Sequence, residues 1–256
     1  AAGLEPALEG QQSAKKKSKK ANKKKAKAED AAGAAASTSA SILGLGAGAA
    51  KLQNREKRKL REAAPPREDG LAPWFTHIYE AENIGLSKLE LYPSGSLGFT
   101  PADFAAEKAL SVSDCKRVIG ATTKAPPTLF ICAGALRACK VMKPFQDLKR
   151  PVAKLFAKHL KLEEQVEGLT KRRLRFGFGT PHRLLQLAEQ GALNAFLTNP
   201  KAVVVLDLAP DVKKMTLLDM PMVSNDCFQF LRKYWVSRPR EARPRLAFLA
   251  EDAVSA

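Results

Sequence analysis

Three short apolar runs constrain the fold of this 256-residue chain more than any other feature. They are Thr128 to Ala133 (TLFICA), Ala202 to Leu206 (AVVVL) and Arg245 to Leu249 (RLAFL). Short continuous apolar runs are typical of strands that are buried on both faces of a sheet. Because segments with helical spacing lie between these runs, the order of elements predicts a parallel sheet with right-handed crossovers. The sequence therefore predicts an α/β fold.

A fourth strand is predicted at Arg173 to Phe178, and apolar residues at helical spacing predict the helices around the sheet. These helices begin after Pro73, at about Leu136, at about Lys158, at Pro181 and behind a potential cap at Ser224 to Asp226. The first carries an aromatic stripe, which we expect to dock on the domain. Gly191 is well placed to end the helix that begins at Pro181.

The amino-terminal part has a different composition. Lys15 to Lys27 contains no acidic residue, and the Ala/Gly/Ser-rich stretch that follows has nothing large to pack. Ordering such a chain costs about 1 to 2 kcal/mol per residue with little burial to offset it. We therefore predict a basic, largely disordered tail at residues 1–72 and a folded domain at residues 73–256. A short basic helix at Lys51 to Arg61 is expected to end before Pro65.

The charge of the chain indicates a polyanionic partner. It has 43 Lys and Arg against 26 Asp and Glu, for a formal net charge of +17, so nucleic acid is the first candidate. The tail lysines that we expect to contact phosphates are Lys15, Lys16, Lys17, Lys23, Lys24 and Lys25. The longest low-polarity stretch, Ser41 to Ala50, is far shorter than the roughly 20 residues of a membrane helix, so no membrane partner is predicted.

The four cysteines and three histidines have no metal-ligand spacing, so neither a metal site nor another cofactor is predicted. Cys132 and Cys139 lie in apolar runs, where a free thiol usually acts as a small core residue. That pattern favours a reducing compartment, nuclear or cytosolic.

The most informative motif is FGFGTPHRLLQLAEQG at Phe176 to Gly191. Thr180 as N-cap and Pro181 at the first helical position would begin a helix whatever the function. The start of a helix also presents free N–H groups to phosphates, and Arg183 one turn later could bind an oxygen. Thr180 and Arg183, with Arg172 and Arg173 nearby, are therefore candidate RNA-binding residues. A purely structural cap is the alternative.

This motif and the following strand resemble the first RecA-like domain of DEAD-box RNA helicases. In that family a strand leads into G/A-TPGR, a helix and an apolar strand that ends in DEAD. Thr180, Pro181 and Arg183 match, and His182 replaces the glycine. Asp207 to Pro210 (DLAP) keeps the metal-binding acid but lacks the catalytic glutamate. Since GxxxxGK[ST] and an SAT motif are also missing, the resemblance implies a single RecA-like domain without ATPase activity and without catalytic residues.

Residues Pro127 to Leu249 also resemble the Cms-one family of eukaryotic ribosomal small-subunit assembly proteins. The likeness is strongest over Val152 to Asp207 and includes KLFAKH at Lys154 to His159. Members carry a lysine-rich region before one degenerate helicase-like domain and associate with nucleolar pre-ribosomes that contain box C/D snoRNA. The resemblance implies a non-catalytic assembly factor in the nucleus and nucleolus. Its implied partners are pre-ribosomal RNA, snoRNA-containing ribonucleoprotein and assembly proteins, with no small-molecule substrate.

Two alternatives remain open, and two others are disfavoured by the sequence. The chain could be an RNA-stimulated ATPase or helicase completed by a partner, or a general nucleic-acid scaffold whose tail does the binding. A dinucleotide fold is disfavoured because His182 stands where the GxGxxG motif needs its third glycine. A thiol nucleophile at Cys227, with His159 or His182 as its base, has no supporting motif.

Overall fold

The computed structural model describes residues 47–120, 126–146, 151–158, 160–171, 175–210 and 214–250. The chain divides into two compact units, residues 1–53 and 54–256, and of the first only the start of one helix is described. That helix, α1 (Ala47–Glu62), contains the predicted basic helix and ends before Pro65, as expected. The predicted disordered lysine tail lies outside the described residues, and the predicted boundary at residue 72 stays a prediction.

A five-stranded, entirely parallel sheet forms the centre of the second unit, which confirms the predicted α/β fold class. The strands are β1 (Thr128–Ile131), β2 (Val152–Leu155), β3 (Phe176–Gly179), β4 (Val203–Asp207) and β5 (Arg245–Leu249). Their order across the sheet is β2-β3-β1-β4-β5. Four strands were predicted, and β2 at the edge of the sheet was not.

Helices cover both faces of the sheet. They are α2 (Leu71–Glu82), α3 (Lys88–Leu91), α4 (Val112–Gly120), α5 (Ala135–Gln146), α6 (Leu162–Lys171), α7 (Pro181–Glu189), α8 (Asn194–Leu197) and α9 (Pro221–Phe230). A π-helix at Leu231–Val236 continues α9, and three 3-10 turns lie at Arg67–Asp69, Pro101–Asp103 and Arg240–Ala242. Among the described residues, no helix combines the length and the apolar character needed to span a membrane.

The side chains of each strand alternate between two cores, as the period of a strand requires. Helices α4 and α5 cover one face, where Phe130 and Phe178 stack with ring centroids 4.4 Å apart and Phe145 packs against both. The larger core on the other face is formed with α2, α6, α7, α8 and α9. Both cores explain why the apolar runs of β1 and β4 show no alternation of polar residues.

The aromatic stripe of α2 docks on the domain, as predicted. Trp74, Phe75, Ile78 and Tyr79 are all buried. The Phe75 ring lies within 6.3 Å of aromatic rings on β5, on α9 and in the segment between α3 and α4. The helix begins at Leu71, so that Pro73 stands in its first turn, where no N–H is needed.

Three predicted helix starts were wrong, and the first is that of α2, which begins at Leu71 and not after Pro73. Helix α9 begins at Pro221, so Ser224 lies inside it, and the Ser224 N–H donates to the Met220 carbonyl. Helix α6 begins at Leu162 rather than near Lys158. The Gln165 side-chain amide donates to the Lys154 carbonyl of β2 and to the Phe156 carbonyl just after it, which ties the first turn of α6 to the end of β2. Gly191, by contrast, directly follows the C-cap of α7 with φ +68°, which is the conformation that glycine favours there.

The segment from Phe104 to Leu110 runs along the outer edge of β5. Phe104 bridges Leu246, Leu110 bridges Leu249, and both bridges are parallel. The Ala105 N–H donates to the Leu246 carbonyl at 2.7 Å and the Leu110 N–H to the Phe248 carbonyl at 2.8 Å. The edge of β5 is therefore covered by chain rather than left open for pairing.

Candidate functional site

The sheet has a topological switch point between β1 and β4. After β1 the chain continues into α5 on one face, and after β4 it continues into α9 on the other face. In open α/β sheets, ligands bind outside the carboxyl ends of the strands at such a point. The residues found there are Cys132, Arg137 and Asp207, which we call the switch-point cluster.

Asp207 in this cluster is engaged by Arg137. Asp207 ends β4 and is fully buried. From the first turn of α5, Arg137 donates through Nε to Oδ2 at 2.7 Å and through Nη2 to Oδ1 at 3.0 Å. The Ala209 N–H approaches Oδ1 at 3.3 Å. The Cys132 thiol also donates to this carboxylate, and burial, followed by the charge of Asp207, raises the pKa of that thiol.

This arrangement decides what Asp207 can do chemically. A two-pronged guanidinium–carboxylate pair satisfies both oxygens and supplies the countercharge that a magnesium ion would bring. Within the part of the chain that the structure describes, no three His, Cys, Asp or Glu side chains come together as a metal site. The acid that resembles the helicases' metal ligand is therefore held in an internal ion pair.

The start of α7 is the second part of the candidate site and lies at the same carboxyl edge of the sheet. Thr180 occupies the N-cap position with an extended backbone and Pro181 the first helical position, as predicted. The Thr180 side chain, however, makes no cap hydrogen bond, so the expected side-chain cap is missing. The Thr180 N–H donates to the Leu155 carbonyl of β2 at 3.2 Å. The helix start is thus positioned by backbone pairing to β2 and by the proline.

Arg183 points into the protein rather than into solvent. It is 8% exposed, and its Nη2 donates to the Leu160 carbonyl at 3.4 Å. Its Nε and Nη1 are buried and have no partner among the described residues. Burial lowers the pKa of Arg183, and the nearby Glu163 raises it. Because a buried donor without a partner costs about 1 to 3 kcal/mol, this guanidinium has unused capacity for an anion.

His182, the residue that replaces the helicase glycine, lies on the exposed side of α7. Its Nδ1 is 3.2 Å from Asp226 of α9. Burial raises the pKa of Asp226, and His182 lowers it. The pair joins the start of α7, which follows β3, to the middle of α9, which follows β4.

Two glycines of the motif stand where a larger residue would not fit. A Cβ on Gly179 would lie 2.6 Å from Leu184 Cδ2 and 2.7 Å from the Leu155 carbonyl oxygen. A Cβ on Gly177 would lie 2.9 Å from Leu155 Cδ1. The space at Gly179 lets Leu184 of α7 pack directly on β3, and the space at Gly177 is filled by side chains of the neighbouring strands. The glycines of FGFG therefore have a packing role that requires no nucleotide.

The remaining candidate residues are only partly described. Arg172, Arg173 and His159 lie outside the described residues, as do the six tail lysines, Lys15, Lys16, Lys17, Lys23, Lys24 and Lys25. Cys227 is fully buried in α9, and burial raises the pKa of its thiol, which is the behaviour of a core residue. The structure therefore brings only Thr180 and Arg183 together, and the RNA-binding role of the set stays a prediction.

The comparisons with known proteins agree on one family. A family model described as "CMS1: U3-containing 90S pre-ribosomal complex subunit" matches residues 105–248. Protein CMS1 of Chaetomium thermophilum is 46% identical over 98 residues, which is 37% of this chain and 38% of that protein. Protein CMSS1 of Homo sapiens is 36% identical over 106 residues, or 40% of this chain and 37% of that protein. The matched part thus spans less than two fifths of either relative's length.

The family model covers more than half of the chain and takes in β1 to β4 and nearly all of β5. It also takes in the whole switch-point cluster and the start of α7. The chain therefore belongs to the CMS1 family.

Proposed function

We propose that this chain is a non-catalytic assembly factor of the small-subunit pre-ribosome, which binds pre-ribosomal RNA and proteins in the nucleolus. The observation that carries the proposal is the match of the CMS1 family model to the sheet and both parts of its carboxyl edge. The description of that family as a subunit of a U3-containing 90S pre-ribosomal complex supplies the ribonucleoprotein context, which we extend to this chain.

The switch-point cluster supports the absence of catalysis. Phosphoryl transfer needs a phosphate cradle, a lysine and a magnesium carboxylate together. Here the surviving carboxylate, Asp207, already binds Arg137 through both oxygens. The position of the helicase glutamate is taken by Leu208, which is apolar and buried. The site is therefore suited to holding the sheet together rather than to hydrolysing ATP.

Charge and the start of α7 support RNA binding. The net charge of +17 favours association with a polyanion. The first turn of α7 has N–H groups without intrahelical partners, and Arg183 lies behind them with two donors that have no partner among the described residues. A phosphate that reached this helix start would find both kinds of donor.

The cysteines agree with a nuclear location. All four are free, and Cys115, Cys132 and Cys227 are buried. Free thiols persist in reducing compartments. The nucleolus, where the family description implies that a 90S complex is assembled, is such a compartment.

The function is tested by purifying the tagged full chain from cells and sequencing its RNA. We expect enrichment of U3 and of small-subunit precursor RNA, and sedimentation with 90S particles. Random RNA with no 90S association would refute the assembly role and favour a general nucleic-acid scaffold.

RNA contact at the α7 start is tested with Thr180→Val combined with Arg183→Ala. We expect binding to weaken by about 1 to 3 kcal/mol, with folding checked by urea unfolding. Deleting Lys15 to Lys27 should instead reduce the salt dependence, by about 0.7 in slope for each phosphate released. A normally folded double variant that binds like wild type at every salt concentration would show that this surface does not hold RNA.

Absence of catalysis is tested by assaying ATP hydrolysis with and without RNA. We expect none from the purified full chain. Hydrolysis that survives purification and disappears in Asp207→Ala would establish the alternative of an RNA-stimulated ATPase.

A further inference from the structure

The second half of α1 docks on the folded domain through polar contacts. The part of the helix after residue 53 belongs to the second compact unit. Arg61 donates through Nη1 to Glu82 Oε1 at 2.8 Å, and Lys57 Nζ lies 3.8 Å from Glu82 Oε2. The His77 ring donates through Nε2 to the Leu60 carbonyl at 2.7 Å. Because Glu82 is only 6% exposed, a buried carboxylate holds two cations of the helix against the domain.

The same helix directs two other cations away from the domain. Two residues along an α-helix correspond to a rotation of about 200°, so Arg55 lies opposite Lys57, and Lys59 lies opposite Arg61. Arg55 and Lys59 are both exposed. They are four residues apart, which is a rise of about 6 Å along the axis. The outer face of α1 consists of Arg55, Arg58, Lys59 and Glu62.

The charges on the outer face are only partly balanced. Arg58 donates through Nε to Glu62 Oε1 at 2.9 Å, so these two charges offset each other. Arg55 and Lys59 form no ion pair with another described residue. Glu56 is exposed beside them and is not paired with either cation. The outer face therefore presents two cations, about one turn apart, to a ligand.

Docking gives these two cations a fixed spacing. An isolated helix of about 12 to 15 residues is only marginally stable in water, and α1 has 16 residues. The contacts of Glu82 hold its second half in place, so Arg55 and Lys59 are presented on an ordered element. A ligand bound there avoids much of the ordering cost that cations on an unstructured chain impose.

The polar character of the outer face favours RNA over an acidic protein. A protein interface has an apolar core, whereas the exposed residues within 54–62 are all polar or charged. Exposed ion pairs with carboxylates contribute only about 0.2 to 1 kcal/mol each, so two such pairs would hold a protein weakly. Interfaces with nucleic acid are more polar and more positively charged, and each contact to a phosphate also releases counterions.

We propose that the outer face of α1 binds the phosphate backbone of RNA through Arg55 and Lys59. This proposal rests on the proposed function, in which the chain works on pre-ribosomal RNA. It adds a contact on an ordered helix to those proposed at the α7 start and on the tail lysines. Helix α1 lies outside residues 105–248, which the family model matches, so the description of that family does not supply this contact.

The test compares three double variants of the full chain. Arg55→Gln with Lys59→Gln removes two charges from the outer face, and glutamine has nearly the same helix propensity as the residues that it replaces. Lys140→Gln with Lys143→Gln is the matched control, because these exposed lysines also lie about one turn apart on a helix, α5. Arg55→Lys with Lys59→Arg keeps both charges. Binding of a fluorescein-labelled single-stranded RNA is measured by anisotropy over a range of salt concentrations.

The expected result is a smaller salt dependence in the outer-face glutamine pair alone. Each lost phosphate contact should lower the slope of log affinity against log salt by about 0.7, so this pair should lower it by about 1.4. With affinities that converge near 1 M salt, the loss is about 25-fold at about 0.1 M. The control pair and the charge-keeping pair should both keep the wild-type slope. All three variants should keep the wild-type urea midpoint, since the changed side chains are exposed.

Outer-face and control pairs that lower the slope equally would overturn the proposal, because net charge alone would then explain the loss. A charge-keeping pair that binds as weakly as the glutamine pair would overturn it as well. A labelled glutamate-rich peptide is titrated in parallel, and loss of peptide binding alone would indicate an acidic protein partner instead of RNA. Wild-type chain that binds no RNA at any salt concentration would refute the RNA-binding function too. Normal RNA binding by the outer-face glutamine pair refutes this inference only.

Discussion

The ion pair between Arg137 and Asp207 gives the sharpest stability prediction. In Arg137→Met the carboxylate of Asp207, which is fully buried, loses its countercharge. Among the described residues, the donors that it keeps are the Ala209 N–H and the Cys132 thiol. Removing one partner of a buried ion pair costs about 3 to 5 kcal/mol, because the remaining charge is left uncompensated in a low-dielectric interior.

The double variant separates this loss from a general packing defect. Arg137→Met with Asp207→Leu replaces both charges by apolar groups, an exchange that is often close to neutral. We expect the double variant to be at least about 2 kcal/mol more stable than Arg137→Met alone. The control cycle uses Arg58 and Glu62, an exposed pair on α1 whose coupling should be about 0.3 to 0.5 kcal/mol.

Equilibrium unfolding in urea measures these differences. With a slope of about 1 to 3 kcal/mol per molar urea, a loss of about 3 kcal/mol moves the midpoint by at least about 1 M. Strictly additive effects of the two single changes would refute the reasoning, as would a cost below about 1 kcal/mol for Arg137→Met. Either result would mean that the Asp207 carboxylate is solvated in solution and open to a metal.

Three further predictions follow from burial and close packing. Gly179→Ala should lower the free energy of unfolding in urea by about 1 to 3 kcal/mol, because the new Cβ would meet the Leu155 carbonyl. Gly134→Ala is the control and should change this free energy little, because no atom lies within 4 Å of the new Cβ. A thiol reagent should titrate only Cys139 in the native chain and four thiols after unfolding, since the other three are buried and burial raises the pKa of Cys115 to about 12. Asp103→Ala should cost about 3 to 5 kcal/mol in urea unfolding, because it leaves a buried guanidinium unpaired.

The strands show which parts of the fold the sequence can predict. The apolar runs of β1, β4 and β5 gave bounds within two residues, because strands buried on both faces need unbroken apolar character. Strand β2 was not predicted because it lies at the sheet edge and carries the exposed Lys154, so its sequence is not a continuous apolar run. Only its pairing with β3 makes it a strand, and pairing has no local sequence signal.

The start of α9 illustrates a competition between two helix signals. Ser224 to Asp226 has the residue types that favour an N-cap, but Pro221 fits the first helical position and begins the helix three residues earlier. Burial of Ser224 against the core then makes it an interior residue. Residue preference alone could not rank the two starts, because packing on the sheet decided between them.

The sequence predicted only the part of the candidate site that depends on neighbouring residues. The position of Thr180 and Pro181 followed from local helix chemistry, which needs only neighbouring residues. Arg137 was missed because its partner lies 70 residues away in the sequence and meets it only through the β1–β4 pairing. The burial of Arg183 was missed as well, since it depends on the loop before α6.

Arg183 provides a test that separates function from fold at the motif shared with the helicases. Gly179 and Pro181 are explained by packing and helix geometry alone, so their presence says little about RNA. Arg183 is different, because its buried Nε and Nη1 have no partner among the described residues and therefore reduce stability.

We expect a residue that lowers stability in this way to serve a ligand. Arg183→Met keeps the apolar stem and removes the unpaired donors, so the free energy of unfolding should rise by about 1 kcal/mol while RNA affinity falls. Urea unfolding and RNA-binding anisotropy, measured on the same preparation, give the change in stability and the change in RNA affinity. A variant that is less stable and binds RNA as tightly as wild type would show that Arg183 serves the fold, and that RNA is held by other cations of the chain.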